Sequence, residues 1–365
     1  MIIICDIFKL LSPMNYQGFI MAWLDLISYN DFIKYFLDDS LTRDNKEKYE
    51  KYLALLTELL SYLNFIKNQS INKFYYKVIL DSIYKLFYFL ANTYQAFIAS
   101  YQFILFSYLS LSSKVEDEDN NYFLQLKNII LSTIPPSLST EKNGNKTLYD
   151  ENYLNIKLFK ENAISNKVIY LLFEEKDNNY NTEEMELSKM IEKYINKKSG
   201  ENILEQILTY LSNIKDEKEL AEIYNGLMLY WCYKRTNCIN GKEIKEKKLF
   251  YNFYYFLLCN LDEIHKKFLI DSILNSLRFS CEQTISCSIL FIELFVNLEN
   301  EDIEKQLMIN ILERALYKPI PWGIKNTLNC LFDDERFIKM DKKYIEQNIE
   351  IVNFIKSISD NMKKK

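Results

Sequence analysis

Glycine and proline are nearly missing, at 6 and 5 among 365 residues, which argues against a β-rich or dinucleotide-binding fold that needs many tight turns. Histidine is scarcer still. His265 is alone, so a His-based triad has one place to sit and a Cys/His zinc set lacks ligands. It stands in Asp262–Lys267 (DEIHKK), which reads as a solvated helix start rather than a catalytic base. No Walker A run, glycine-rich phosphate loop, HExxH or nucleophile elbow occurs, and each of those chemistries depends on its spacing. The expectation is a protein that is not an enzyme, with no cofactor and no metal.

A dominant charge is also lacking. The 45 basic and 50 acidic residues leave a net charge of −5, without the basic stripe of a dedicated nucleic-acid binder. Residues Glu116–Asp119 lack EF-hand spacing and read as a solvated loop. Lys242–Lys248 is interrupted by Glu243 and Glu246, so it reads as a mixed charged surface. Long hydrophobic runs are absent too. The most apolar segment, 96–111 (AFIASYQFILFSYLSL), falls short of the roughly 18 residues of a membrane span and reads as a core helix. Met1–Cys5 is apolar but soon meets Asp6 and Lys9, without the pattern of a signal peptide. The 7 cysteines form no CxxC; reduced core thiols of an intracellular protein are expected.

What is present is helical period. The 28 Tyr and 24 Phe read as coding bias filling core sites. Residues 2–11 form a short apolar helix stopped by Pro13, and 18–28 is apolar nearly all round, hence packed on every side. Helical faces follow at 47–66 (Tyr52, Leu55, Leu56, Leu59, Leu60, Leu63), 72–91 and 94–111. Further helices are expected from a cap at Asn181 with Glu184 to about Lys198, and over 202–213, 217–234 and 250–261. The run 263–331 carries three more end to end. Ile264, Phe268, Ile270, Ile273, Leu274 and Leu277 line the first. Ser280 with Gln283 has the form of a capping box that starts the second. Asn300 before Glu301 and Asp302 caps the third. Pro319 and Pro321 end that helix, and Pro321 suits the start of another at Trp322. Tyr344–Ile355 carries the last. About fifteen paired helices without strand alternation indicate an all-α fold of irregular HEAT-like repeats, an α-solenoid. The strongest break lies at 135–152, between an N-terminal part at 1–134 and a C-terminal part at 153–365 of one scaffold domain.

Five runs carry a resemblance. They are Gly18–Ser28 (GFIMAWLDLIS), Leu124–Ser132 (LQLKNIILS), Asn275–Phe279 (NSLRF), Ser286–Phe291 (SCSILF) and Pro319–Gly323 (PIPWG). In order and spacing they resemble the C-terminal homology domain of the Not-one scaffold of the CCR-NOT deadenylase complex. The family has Arg where Lys127 stands, Pro where Ser280 stands, and Phe-Trp where this chain has Phe337-Ile338. The resemblance implies a non-enzymatic helical scaffold that docks Not-two and Not-three/five subunits for mRNA deadenylation and repression, in cytoplasm and nucleus, with RNA only indirectly engaged. Arg278, Phe279 and Trp322 are the partner-binding candidates. Arg278 either orders a helix–helix turn through carbonyl contacts or faces a partner. Trp322 is either wedged into the junction or anchors a partner peptide. The competing class is an RNA-binding helical-repeat module.

Overall fold

The computed structural model describes residues 2–38, 45–68, 73–109, 120–134, 184–197, 201–236, 243–298 and 300–332. Among them are fifteen α helices, one short 3-10 turn and no strand. The first seven helices are α1 (Ile2–Leu10), α2 (Ile20–Ile27), α3 (Asn30–Leu37), α4 (Asn45–Asn68), α5 (Lys73–Thr93), α6 (Gln95–Leu109) and α7 (Asn120–Leu131). Then come α8 (Glu184–Lys197), α9 (Glu201–Ser212), α10 (Glu217–Thr236) and α11 (Glu243–Asn260). The last four are α12 (Glu263–Leu274), α13 (Glu282–Asn297), α14 (Glu301–Leu316) and α15 (Trp322–Phe332). The 135–152 break, the acidic run Glu116–Asp119, Phe337-Ile338 and the Tyr344–Ile355 segment lie outside the described residues.

The chain stacks helices mainly on their next-but-one neighbours. Helix α4 packs on α6, α5 on α7, α10 on α12, α11 on α13, α12 on α14 and α13 on α15. That alternation is a two-layer helical solenoid, each hairpin covering the apolar stripe of the one before. The core runs without interruption through both halves, because α6 packs on α10 and α7 on α14. Helix α6 explains why. Its apolar residues circle the whole helix, and Phe97, Ile98, Tyr101, Phe103, Leu105, Phe106 and Leu109 are all buried. A helix apolar all round has to sit at the centre. In α4 the six face residues named from the sequence are at most 1% exposed. No helix among the described residues is long and apolar enough to cross a membrane.

Several local expectations change. Helix α3, eight residues long, is an addition to the expected set, and its buried Phe32, Ile33, Phe36 and Leu37 stand at helical spacing. The Asn300 cap forms, its Oδ1 accepting from the amides of Asp302 (3.0 Å) and Ile303 (3.3 Å). The Ser280/Gln283 capping box does not. Helix α13 starts after Cys281, whose side chain makes no cap bond, because Gln283 is drawn inward to Arg278. Ile264, placed on the inner face of α12, is 45% exposed. Helix α2 is buried through Ile20, Trp23, Leu24 and Ile27, while Met21 and Leu26 stay outside. Four cysteines (Cys5, Cys232, Cys281, Cys287) are buried free thiols, but Cys259 and Cys330 are exposed.

Candidate partner-docking site

Helix α7 carries two buried polar residues, Lys127 and Asn128. Their partners lie far along the chain. The last carbonyls of α14 have no partner within their own helix, and Asn128 supplies one, its Nδ2 donating to Arg314 O and Tyr317 O, each at 2.7 Å. Gln125 Nε2 donates to Lys318 O at 3.2 Å. Lys127 Nζ donates to Asp271 Oδ2 at 2.5 Å. Arg314 Nη2 donates to Asp271 Oδ1 at 2.6 Å and to Asn275 Oδ1 at 2.7 Å. Asn275 in turn reaches Asn225 Oδ1 on α10 at 3.2 Å. One carboxylate thus serves two cations, and the cluster ties α7, α12, α14 and α10 together. Burial works to raise the Asp271 carboxyl, but Lys127 and Arg314 outweigh it and hold it well below the usual carboxylate range. Burial pushes Lys127 down to about 8, with Arg314 adding to the shift and Asp271 opposing it. The cost of taking these charges out of water offsets much of what their attraction adds to net stability.

Beside this cluster, the α12–α13 turn meets the start of α15. The Gly323 amide, one of the unpaired donors of a helix N-terminus, donates to Arg278 O at 2.7 Å. The approach is so close that a Cβ at Gly323 would lie 2.6 Å from Leu277 C and from Thr284 Cγ2. Thr327 Oγ1 is 2.8 Å from both the Gly323 carbonyl and the Ser288 hydroxyl. The Pro319–Gly323 run therefore lets α15 start against its neighbour with no side chain between them. Lys318–Pro319 is a cis peptide.

The three candidate residues part company here. Arg278 is 2% exposed; its Nη2 donates to Gln283 Oε1 at 2.8 Å, and its guanidinium lies 4.6 Å from the Phe279 ring centroid. Phe279 is buried as well. The carbonyl of Arg278, not its side chain, reaches α15. Trp322 stands 41% exposed, so the indole is not wedged into the junction; Gly323 occupies that place. Of the three, Trp322 is the one a partner can touch. Exposed Lys318 and Lys325 lie near it in sequence.

Other singled-out residues serve packing. Trp23 Nε1 donates to Phe8 O at 3.0 Å, and Tyr52 OH to Ile27 O at 3.2 Å, fastening the 18–28 run to α1 and α4. His265 is not a solvated residue. It is 3% exposed, with Nδ1 2.8 Å from Asp262 Oδ1 and Nε2 3.0 Å from Leu211 O. Asp262 also caps α12 through the His265 amide, so this histidine pins α12 to the end of α9. Among the described residues no group of three or more His, Cys, Asp or Glu could hold a metal.

Comparison with known proteins agrees with this architecture. The family model described as "CCR4-Not complex component, Not1" matches residues 1–359. The general negative regulator of transcription subunit 1 of Schizosaccharomyces pombe (strain 972 / ATCC 24843) is 22% identical over 368 residues, covering 99% of this chain. The chain spans only 16% of that relative's length. A solved Not1 C-terminal domain in complex with Not4 superposes with a TM-score of 0.67 at 18% identity, covering 96% of this chain and 67% of that one. The NOT1 superfamily homology domain from Chaetomium thermophilum gives 0.66 at 17% identity, covering 95% and 64%. These two share the fold.

Proposed function

We propose, from the premise that the chain belongs to the Not1 family of CCR4-Not complex components, that it is a non-catalytic scaffold docking other subunits of that complex. The observation that carries the reading is Trp322, the one partner-binding candidate on the surface, seated at the start of a helix whose position Gly323 and Arg278 O lock. A rigid aromatic on a fixed element is what an extended or helical peptide uses as an anchor. The occupants proposed are Not-two and Not-three/five subunits, so that the scaffold links RNA-bound repressors to deadenylation in cytoplasm and nucleus. The solved relative in complex with Not4 supports a subunit of the same complex as the class of partner.

The test is co-expression of the chain with its own organism's Not-two and Not-three-like subunits, followed by light scattering on the eluted species. A stable heterotrimer is expected. Trp322→Ala should weaken it about 30-fold or more, the range of an interface hot spot, and leave the thermal midpoint unchanged. A chain that stays alone with every subunit at micromolar concentration refutes the scaffold reading. An unaffected Trp322→Ala complex refutes the placement of the site.

A further inference from the structure

The surface around the start of α15 is short of carboxylates. Three segments meet there: 120–134 with α7, 272–281 at the α12–α13 turn, and 314–332 with α15. The Gln125 bond to Lys318 O and the Gly323 bond to Arg278 O join them. None of the three contains an Asp or Glu, although 50 of the 365 residues are acidic. Their cations are Lys127, Arg278, Arg314, Lys318 and Lys325. Lys127 and Arg314 share Asp271, which reaches in from α12. Arg278, Lys318 and Lys325 take no ion pair among the described residues. Of the acids next in sequence, Glu313 interacts with Lys267 and Arg314 instead. Asp333 follows the far end of α15, about 15 Å along the axis from Trp322 and past the screening length of roughly 8 Å.

Two of these three cations are exposed beside an exposed indole. Lys325 stands three residues after Trp322 on the same helical face, and a helical side chain leans toward the N-terminus, which carries its ammonium toward the ring. Arg278 is buried, and its Nε has no hydrogen-bond partner. Little water surrounds it, so its field is weakly screened. The positive end of the α15 dipole adds to that field at Trp322.

We propose that the segment docking at Trp322 is an acidic peptide of a protein partner, with an apolar side chain against the indole and carboxylates facing Lys318 and Lys325. This rests on the scaffold reading above and adds the chemistry of the occupant. Charge complementarity selects it, because a basic segment would meet three cations that nothing answers. Single-stranded RNA, the other polyanion, fits less well. One exposed ring and three charges fall short of the repeated ring-and-cation track that a strand uses. The overall charge of −5 also opposes a long polyanion, whereas a short peptide feels mainly the local field.

The test uses the full chain with its own organism's Not-two and Not-three-like subunits. Carbodiimide coupling, which joins an amine to a carboxylate in contact, is expected to link Lys318 or Lys325 to an Asp or Glu of a net-negative partner segment. Lys318→Glu with Lys325→Glu should weaken the complex about tenfold at low salt at an unchanged thermal midpoint, and most of the deficit should vanish at high salt. Lys318→Arg with Lys325→Arg should bind like the wild type. A complex that ignores the reversal, a neutral or basic segment at Trp322, or equal weakening by reversal of the exposed Lys9 and Lys34 overturns this proposal and leaves the scaffold reading standing. A chain that binds no subunit sinks both. A poly-uridine strand that displaces the subunits, and is itself lost on reversal at Lys318 and Lys325, overturns the proposal in favour of RNA.

Discussion

Gly323→Ala isolates the junction on which the site depends. The added Cβ would lie 2.6 Å from Leu277 C and Thr284 Cγ2 and 2.8 Å from Leu277 Cα, where 3.4–4 Å is ordinary contact. Two of the three atoms are backbone, so no rotamer change relieves the clash. Moving α15 back by about 0.8 Å would stretch the Gly323–Arg278 hydrogen bond from 2.7 Å past the usual limit near 3.2 Å. Overpacking of this kind costs about 1–3 kcal/mol, and the weakened bond about 0.5–1.5 kcal/mol. Alanine's helix preference over glycine returns about 0.5–1 kcal/mol. The net is a loss of about 2 kcal/mol, or roughly a 30-fold shift toward the unfolded chain. Urea unfolding followed by circular dichroism reads it directly. Thr284→Ser in the same background removes Cγ2 while keeping the hydroxyl that donates to Ser276 O, and should recover part of the loss but not all. Gly18→Ala is the control: nothing lies within 4 Å of a Cβ there, and its effect should stay within about 0.5 kcal/mol. If Gly323→Ala proves as stable as Gly18→Ala, the close-approach argument fails.

Asp271→Asn leaves Lys127 buried beside Arg314 without a carboxylate, and should cost about 3–5 kcal/mol at neutral pH; Lys127→Arg, which keeps the charge, should cost much less, and thermal unfolding of the pair ranks them. Because the Asp271 carboxyl is held below its unfolded range, its contribution is fully present above about pH 4 and is lost as pH falls through the folded value. Acid unfolding of the wild type should therefore contain a stability loss that Asp271→Asn lacks, and parallel acid curves for the two proteins would contradict the assignment. Asn128→Ala strips two carbonyls at the end of α14 of their donor and should lower stability by about 1–3 kcal/mol; hydrogen exchange should show the loss concentrated at that helix end. His265→Phe keeps an aromatic ring and the amide cap on Asp262 but removes the imidazole bonds to Asp262 Oδ1 and Leu211 O, and should loosen the α9–α12 contact by about 1–3 kcal/mol.

Fold class was legible because apolar period needs no knowledge of partners. The Tyr52–Leu63 face of α4 and the Asn300 cap could be named residue by residue, since each depends on neighbours within one or two turns. What could not be read was which polar groups meet across the stack. Lys127 and Asn128 take their roles from Asp271 and Arg314, at sequence separations of 144 and 186, which no local pattern shows. Gln283 fitted a capping box, but a buried guanidinium five residues earlier competes for its side chain and wins. His265 looked solvated because its run is charged, while the acceptor that buries it belongs to another helix. At the candidate site the motif pointed to the right turn. It could not tell that the glycine fills the junction and the tryptophan stands outside it, because that depends on how closely two backbones approach.

The bond from Asn128 to the end of α14 has a kinetic consequence. Most contacts in a solenoid close short loops, so ends can fray and re-form one hairpin at a time. Asn128 and Lys127 instead join helices separated by well over a hundred residues, and such closures come at a higher entropic cost in the folding search. Docking of α7 on α12 and α14 should thus be among the last events of folding. Once made, it clasps the middle of the array, so a strand of helices peeling from either terminus has to stop there until that clasp opens.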